Sequence, residues 1–378
     1  MNVDSLGRAI AVFRNDDLVI DEDFCLNDRA RREVCRDCAA ACPPAAIRPG
    51  VGTIELDEDA CTGCGACVPA CRAGALRLVV FDPARFLASL DGHPVAHVHC
   101  AESRDGGGGV VLPCHAMIDA RLAAAAAAAG TAELVLHGID GCAACKRGDA
   151  TGPLGETRGA LRRWFGNRAP VLRAPEKNER GQGAQRHHDQ RHANRRGFLG
   201  IAGLRAVAAA TWLVPVPDRG PQPAPPGICP PGVFRQRAAS YQEPLATAVD
   251  ALPWCDGQAL PWYPRHFTEA CTVCQVCALR CPTGALAAEQ SADRRAVTYG
   301  AALCTNCGLC GHVCPENAVK AEPAMTAEAV ATPRRVLAAV TLSRCGTCGH
   351  SFAGDGTLCP ECCNENAMDD EWLAMLGG

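Results

Sequence analysis

The sequence predicts an α+β chain assembled from several small units, each organised around cysteines. Three observations point there. Cysteine occurs 27 times in 378 residues, against nine Phe, five Trp and three Tyr. A chain with so few aromatics has little material for large cores, so bound metal is expected to organise several of its parts. Most of the cysteines also fall in Cys-x-x-Cys pairs, the arrangement of metal sites built from reduced thiols; disulfides favour small secreted domains with scattered spacings. Finally, one cysteine pattern recurs along the chain, with a stretch of alternating strand-like and helix-like segments between the copies.

Composition excludes several classes. The formal net charge is −4 and the pI about 6.3, so no global basic field recruits nucleic acid or an acidic membrane. The opening MNVDSLGRAIAVFRNDD lacks the basic start and apolar core of a secretory signal, and no run of 18 uncharged apolar residues occurs. Both set the expectation of a cytoplasmic protein without an ordinary transmembrane helix. Covalent haem is excluded by the absence of Cys-x-x-Cys-His. No nucleophile–base pair, phosphate loop or dinucleotide fingerprint is present, so no catalytic residue is expected.

The chemistry is written most clearly in CTVCQVCALRCPTGAL, residues 271 to 286. Three closely spaced thiolates can hold three corners of a cubane cluster in one tight loop, and the fourth, on the helix that follows, is directed at a different cluster. The spacing therefore predicts a twin, and CTNCGLCGHVCPENAV at 304 to 319 supplies it. A third copy, CTGCGACVPACRAGAL, stands at 61 to 76. CLNDRARREVCRDCAAACPPAAI at 25 to 47 reads as a fourth with a stretched first gap. Short β-type segments accompany the copies at Thr53–Leu56, Leu76–Phe81 and Ala296–Thr298.

This layout resembles the bacterial 2×(4Fe–4S) ferredoxin family, and the resemblance implies two dicluster ferredoxin-like modules with four 4Fe–4S clusters. Carried over residue by residue, the family's ligand pattern assigns Cys271, Cys274, Cys277 and Cys314 to one cluster and Cys304, Cys307, Cys310 and Cys281 to its neighbour. In the N-terminal module it assigns Cys61, Cys64, Cys67 and Cys42 to one and Cys35, Cys38, Cys71 and Cys25 to the other. Two departures stand out. The insertion LNDRARREV separates Cys25 from Cys35, and Arg72 replaces the proline after Cys71. A charged, helix-prone insertion can bulge outward while Cys25 still reaches iron; the alternative leaves that cluster three protein ligands.

Residues 86–178 read as a small α/β domain. PVAHVHC and GVVLPC are apolar, β-branched runs ending in Cys100 and Cys114, and AELVLHGIDGCAACKRG is a strand ending near Cys142 and Cys145. An alanine-rich helix and the helix GETRGALRRWFG separate the strands, and APVLRAP closes the set. In an open α/β sheet the carboxyl ends of strands share one edge, so these four cysteines are expected to gather there. The site suits a further Fe–S cluster or zinc; thiol redox work by Cys142 and Cys145, or simple burial of small residues, are the alternatives. The strand-then-cysteine logic loosely resembles the small iron–sulfur subunits of hydrogenase and heterodisulfide-reductase systems. His99 and His115 are expected to pack, not ligate.

Residues 179–226 form a basic, then apolar, then proline-rich linker in which NRRGFLG resembles the core of a twin-arginine export signal. Similar arginine pairs occur in polyferredoxins of periplasmic nitrate reductase and methylamine utilisation systems. The placement well inside the chain, with Arg205 breaking the apolar run, favours a linker; export or membrane anchoring, and binding by a redox-enzyme chaperone, are the alternatives. Residues 227–330 hold the second dicluster module. Within 331–378, Cys345 and Cys348 followed by Cys359 and Cys362 look like a zinc ribbon with one zinc, with rubredoxin-type iron as runner-up. Cys363 is expected to be a neighbour, and Cys229 and Cys255 have no matching partners.

The expected function is electron transfer by a polyferredoxin that serves as accessory or subunit of a larger redox enzyme, with formate dehydrogenase or nitrate reductase systems as hosts by resemblance. The expected partner is thus a redox-enzyme subunit or an electron donor or acceptor protein. The alternative is an assembly or maturation factor for a metal-containing oxidoreductase, docking through its ribbon.

Overall fold

A computed structural model describes residues 18–105, 108–180, 234–255, 260–322 and 326–375. The chain divides into two compact units, Met1–Arg235 with Ser240–Gln258, and Gln236–Ala239 with Ala259–Gly378. The linker carrying the twin-arginine-like motif, and Cys229, lie outside the described residues.

The first unit opens with two short antiparallel pairs. β1 (Leu18–Ile20) pairs with β4 (Leu76–Leu78), and β2 (Ile47–Pro49) with β3 (Ile54–Leu56). Strands of three residues suffice because they only tie down loops whose shape the cysteines set. The expected Leu76–Phe81 segment is cut short at Leu78, where the chain turns and Phe81 bridges back. The insertion after Cys25 turns inward in its first half and outward only at residues 31–33, which are exposed. Its helix Leu26–Ala30 buries Leu26, Asn27 and Arg29, the last two completely. Arg29 is tolerated inside because Nε donates to the Asp23 carbonyl at 2.6 Å and its guanidinium lies 5.0 Å from the rings of Phe24 and Phe234.

The α/β part is a four-stranded parallel sheet of β5 (Val95–Cys100), β6 (Val110–Leu112), β7 (Glu133–His137) and β8 (Val171–Arg173), in spatial order β6-β5-β7-β8. Parallel strands covered by helices are buried almost throughout, which is why β7 reads as a continuous apolar run. The covering helices are Pro83–Ser89, Ala120–Ala128 and Thr151–Phe165. Asp82 and Asp119 cap the first two, accepting from the amides of Arg85 and Leu122. The sheet order reverses between β5 and β7, the place where open α/β sheets form a ligand crevice. Ser240–Cys255 also belongs to this unit, although the sequence groups it with the second module. Tyr241 Oη donates to the Met117 carbonyl at 2.9 Å, and Trp254 packs on Phe165 with ring centroids 4.8 Å apart.

In the second unit, β9 (Arg265–Phe267) pairs with β12 (Val319–Ala321), and β10 (Leu286–Gln290) forms a hairpin with β11 (Arg294–Tyr299). The long strand β13 (Arg335–Arg344) adds to β11 with a bulge at Val297/Thr298, and its last three residues pair with β14 (Ser351–Ala353). The C-terminal cysteine pairs thus stand on a strand that continues the sheet of the second module. The helix Pro360–Met375 ends the described chain.

Candidate metal centres

One turn shapes all four repeated cysteine loops. The third residue after the fourth cysteine is left-handed in every copy: Ala45 (φ 53°), Gly74 (φ 72°), Gly284 (φ 72°) and Asn317 (φ 52°). In three copies the turn aims the following amide back at the sulfur. The N–H groups of Ala46, Ala75 and Ala318 donate to Sγ of Cys42, Cys71 and Cys314 at 3.3, 3.2 and 3.3 Å. In the fourth, Thr283 Oγ1 stands 3.7 Å from Cys281 Sγ and accepts from the Ala285 amide. Donors directed at sulfur favour the thiolate, the form that binds metal. The turn at Cys71 forms without proline, and Arg72 pairs with Asp37 at 3.6 Å.

In the first unit the repeated cysteines lie in neighbouring groups. Burial raises Cys35 to about 11 and Cys38 to about 12, and the nearby thiols of Cys71 and Cys25 push both the same way. Cys25 thus lies near enough to Cys35 and Cys38 to add to their shifts despite the stretched gap. The loop that brings it there is held by Asn27, whose Oδ1 accepts from the amides of Val34 and Cys35 at 2.8 Å and whose amide donates to the Cys35 carbonyl at 3.0 Å. Cys67 is raised by burial and then by Cys64, Cys42, Cys38 and Cys61, which collects the second group and sets it beside the first.

In the second unit the groups are crossed between the motifs. Burial raises Cys277 to about 12, with Cys310, Cys274, Cys314 and Cys271 adding to it. It raises Cys307 to about 12 as well, with Cys281, Cys304 and Cys310 adding. Cys271, Cys274, Cys277 and Cys314 line one pocket; Cys281, Cys304, Cys307 and Cys310 line another.

Cys100, Cys114, Cys142 and Cys145 line a cavity of about 520 Å³ at the carboxyl edge of the parallel sheet. Burial pushes Cys114 up to about 12, with Cys64, Cys142 and Cys100 contributing, so this group adjoins the second one. Arg147 ties the two loops together, donating from Nη1 to the Thr62 carbonyl at 2.9 Å and from Nε to Glu102 at 2.8 Å. His99 and His115 are fully buried; His99 stacks on His137 at 4.1 Å, and His115 Nε2 lies 2.9 Å from the His137 carbonyl.

Cys345, Cys348, Cys359 and Cys362 differ in kind. Among the described residues they are the set whose ligand atoms all lie within 4.8 Å of one another, with Cys348 and Cys359 sulfurs 3.7 Å apart. Four sulfurs about 2.3 Å from one ion would stand roughly 3.8 Å apart, so this set could hold a single ion. The amides of Cys348 and Cys359 hold Cys345 down at about 6. Cys363 is exposed, with Sγ 3.9 Å from the Leu358 carbonyl, and the Cys255 amide donates to the Trp164 carbonyl at 2.8 Å.

Sequence reasoning missed the residues that hold the cysteines. Asn27 and Arg147 are two, and Arg265 is a third: it is 3% exposed and donates to Asn306 Oδ1 at 2.6 Å beside Cys304 and Cys310. The one signal was an arginine six residues before a cysteine motif.

The cysteine loops within residues 54–77 and 270–318 are of the 4Fe-4S ferredoxin type. Residues 54–77 match the 4Fe-4S binding domain family, and residues 270–318 match the 4Fe-4S dicluster domain family. An uncharacterized ferredoxin of Methanocaldococcus jannaschii is 46% identical over 48 residues, 11% of this chain. The match spans 29% of that protein's length. These likenesses support an iron–sulfur electron-transfer role. No helix among the described residues is long and apolar enough to cross a membrane.

Proposed function

We propose that this protein is a polyferredoxin that relays single electrons for a larger redox enzyme, as its accessory or subunit. The observation that carries the reading is the succession of thiol groups in the first unit. Cys38 of the Cys25/Cys35/Cys38/Cys71 group is sensed by Cys67, and Cys64 of the Cys42/Cys61/Cys64/Cys67 group is sensed by Cys114. Neighbouring clusters in such a line exchange electrons, each at a potential set by its hydrogen bonds and exposure. The residues fit that cargo: each group offers four thiols, with backbone donors aimed at sulfur in three of the repeated loops.

In this reading the four repeated groups hold 4Fe–4S clusters. Cys100, Cys114, Cys142 and Cys145 hold a further cluster, favoured over zinc because the set is open and its cavity roomy. Cys345, Cys348, Cys359 and Cys362 hold one zinc. The clusters act in the cytoplasm, and formate dehydrogenase or nitrate reductase systems are the proposed hosts. Anaerobic metal and sulfide analysis tests the reading: about sixteen irons and sixteen sulfides fill the four repeated groups, with additional iron at the open site. One zinc completes the count. A fully reconstituted chain holding only about eight irons would sink the N-terminal assignment.

A second reading, maturation of a metal-containing oxidoreductase by docking through the ribbon, has one observation in its favour. Met368, Trp372 and Met375 are 61%, 60% and 68% exposed on the helix that leaves the cage. Exposed apolar residues at that spacing on one helix suit a partner's groove. Binding confined to a cofactor-free partner enzyme would select this reading over electron transfer.

A further inference from the structure

The two cysteine pockets of the second unit are nearly symmetric in sequence and opposite in charge. Beyond its cysteines, the pocket of Cys281, Cys304, Cys307 and Cys310 has one charged lining residue, Arg265; the pocket of Cys271, Cys274, Cys277 and Cys314 has Glu316. Arg265 stands on β9 six residues before Cys271. The equivalent position before Cys304 is Thr298, which is neutral and turns its hydroxyl to the Ala287 carbonyl at 3.5 Å. The asymmetry is therefore written into the sequence of the repeat.

A buried guanidinium is costly unless a negative group compensates it. Arg265 Nη2 is satisfied by Asn306, but Nη1 has no hydrogen-bond partner, and no carboxylate lines the pocket. A guanidinium keeps its charge even when buried, and Arg265 lines the same pocket as Cys281, Cys304, Cys307 and Cys310. A cluster with four thiolate ligands carries net negative charge and gains one more on reduction, so a fixed cation beside it stabilises the reduced state most.

We propose that Arg265 makes the cluster at Cys281, Cys304, Cys307 and Cys310 the electron sink of this module, so that the first electron rests there and not at Cys271, Cys274, Cys277 and Cys314. The proposal depends on the ligand sets given above. The step is the addition of one electron from a low-potential reductant, with no bond made or broken. Glu316 works in the same direction by disfavouring negative charge at the other cluster, more weakly because it is exposed to water. Asn306, left-handed at φ 55° between Cys304 and Cys307, positions the guanidinium.

An anaerobic dithionite titration of the full chain followed by EPR tests this, with Cys307→Ser and Cys274→Ser assigning the two signals. Arg265→Gln is expected to lower the reduced-to-oxidised ratio of the Cys307 cluster about tenfold or more at a fixed potential, leaving the Cys274 cluster in place. Arg265→Lys retains the charge and should titrate close to the parent. An Arg265→Gln chain that titrates like the parent, or in which both clusters shift equally, overturns the proposal. If that variant fails to assemble its cluster, the parent decides: a first electron on the Cys274 cluster overturns the proposal, and one on the Cys307 cluster supports it. A parent in which Cys307→Ser alters no cluster signal overturns the ligand assignment itself, a result distinct from an unchanged Arg265→Gln titration.

Discussion

Ala45 occupies a conformation that L-residues resist. At φ 53° it turns the Ala46 amide onto Cys42 Sγ, a task that Gly74 performs for Cys71 without steric cost. The left-handed state costs a non-glycine residue about 1–2 kcal/mol, partly offset by the greater unfolded-chain freedom of glycine. Ala45→Gly is therefore expected to stabilise the first unit by about 0.5–1 kcal/mol, read as a higher thermal midpoint with unchanged iron content. Charge at single residues also has a signature. Two hydrogen bonds from Arg173, at 2.7 and 2.8 Å, and the Glu176 amide hold Glu179 at about 2, below its ordinary 4.5. A depressed carboxylate stabilises the fold above its unfolded value and loses that contribution as pH falls toward its folded one. Hydrogen-exchange protection in β7 and β8, corrected for the intrinsic rate, should fall between about pH 4.5 and 2 in the parent, and less so in Glu179→Gln.

At the scale of elements, the insertion after Cys25 shows how a loop is held by one side chain. Asn27 is fully buried and makes three hydrogen bonds to the Val34–Cys35 backbone, so Asn27→Ala would strand two amides and a carbonyl. The expected cost is about 1–3 kcal/mol, with selective loss of iron from the Cys25 cluster; iron loss spread evenly over all clusters would contradict this. The crossed motifs give a second element-level expectation. Cys281→Ala should damage the cluster at Cys304, Cys307 and Cys310, and Cys277→Ala the other, as Mössbauer spectra would separate. Loss of the same cluster in both variants would end the crossed reading. Much of this was legible in the sequence: the repeat spacing marked the loops, and PVAHVHC and ELVLH declared buried parallel strands whose ends collect cysteines. The fate of LNDRARREV was not legible, because a charged segment goes inside only when distant groups receive it. Here Arg29 meets Phe24 and Phe234, and nothing local to the insertion announces the second contact.

At the scale of the whole molecule, the sequence marks units by their chemistry, whereas the fold groups them by pairing. The stretch 240–255 precedes the second cysteine module in sequence and yet packs on Met117, Trp164 and Phe165, a non-local partnership that no pattern within it encodes. The boundary near 331 is crossed in the same way. β13 begins as the third strand of the sheet built on β10 and β11, pairing from Arg335 to Thr341, and only Leu342–Arg344 belong to the hairpin of the four-cysteine cage. One strand thus serves two supports of different origin, hydrogen bonds to β11 and the four-cysteine set beyond its far end. A small metal-organised hairpin has little core beyond Phe352 and Leu358 to hold it once the ion leaves. Treatment with a zinc chelator should therefore release the protection of β14 and of the first turn after Pro360, while Arg335–Ala339 stay protected and iron content is unchanged. Hydrogen exchange resolves the two cases, and loss of protection along the whole of β13 at the rate of β14 would show that the ion supports the entire sheet.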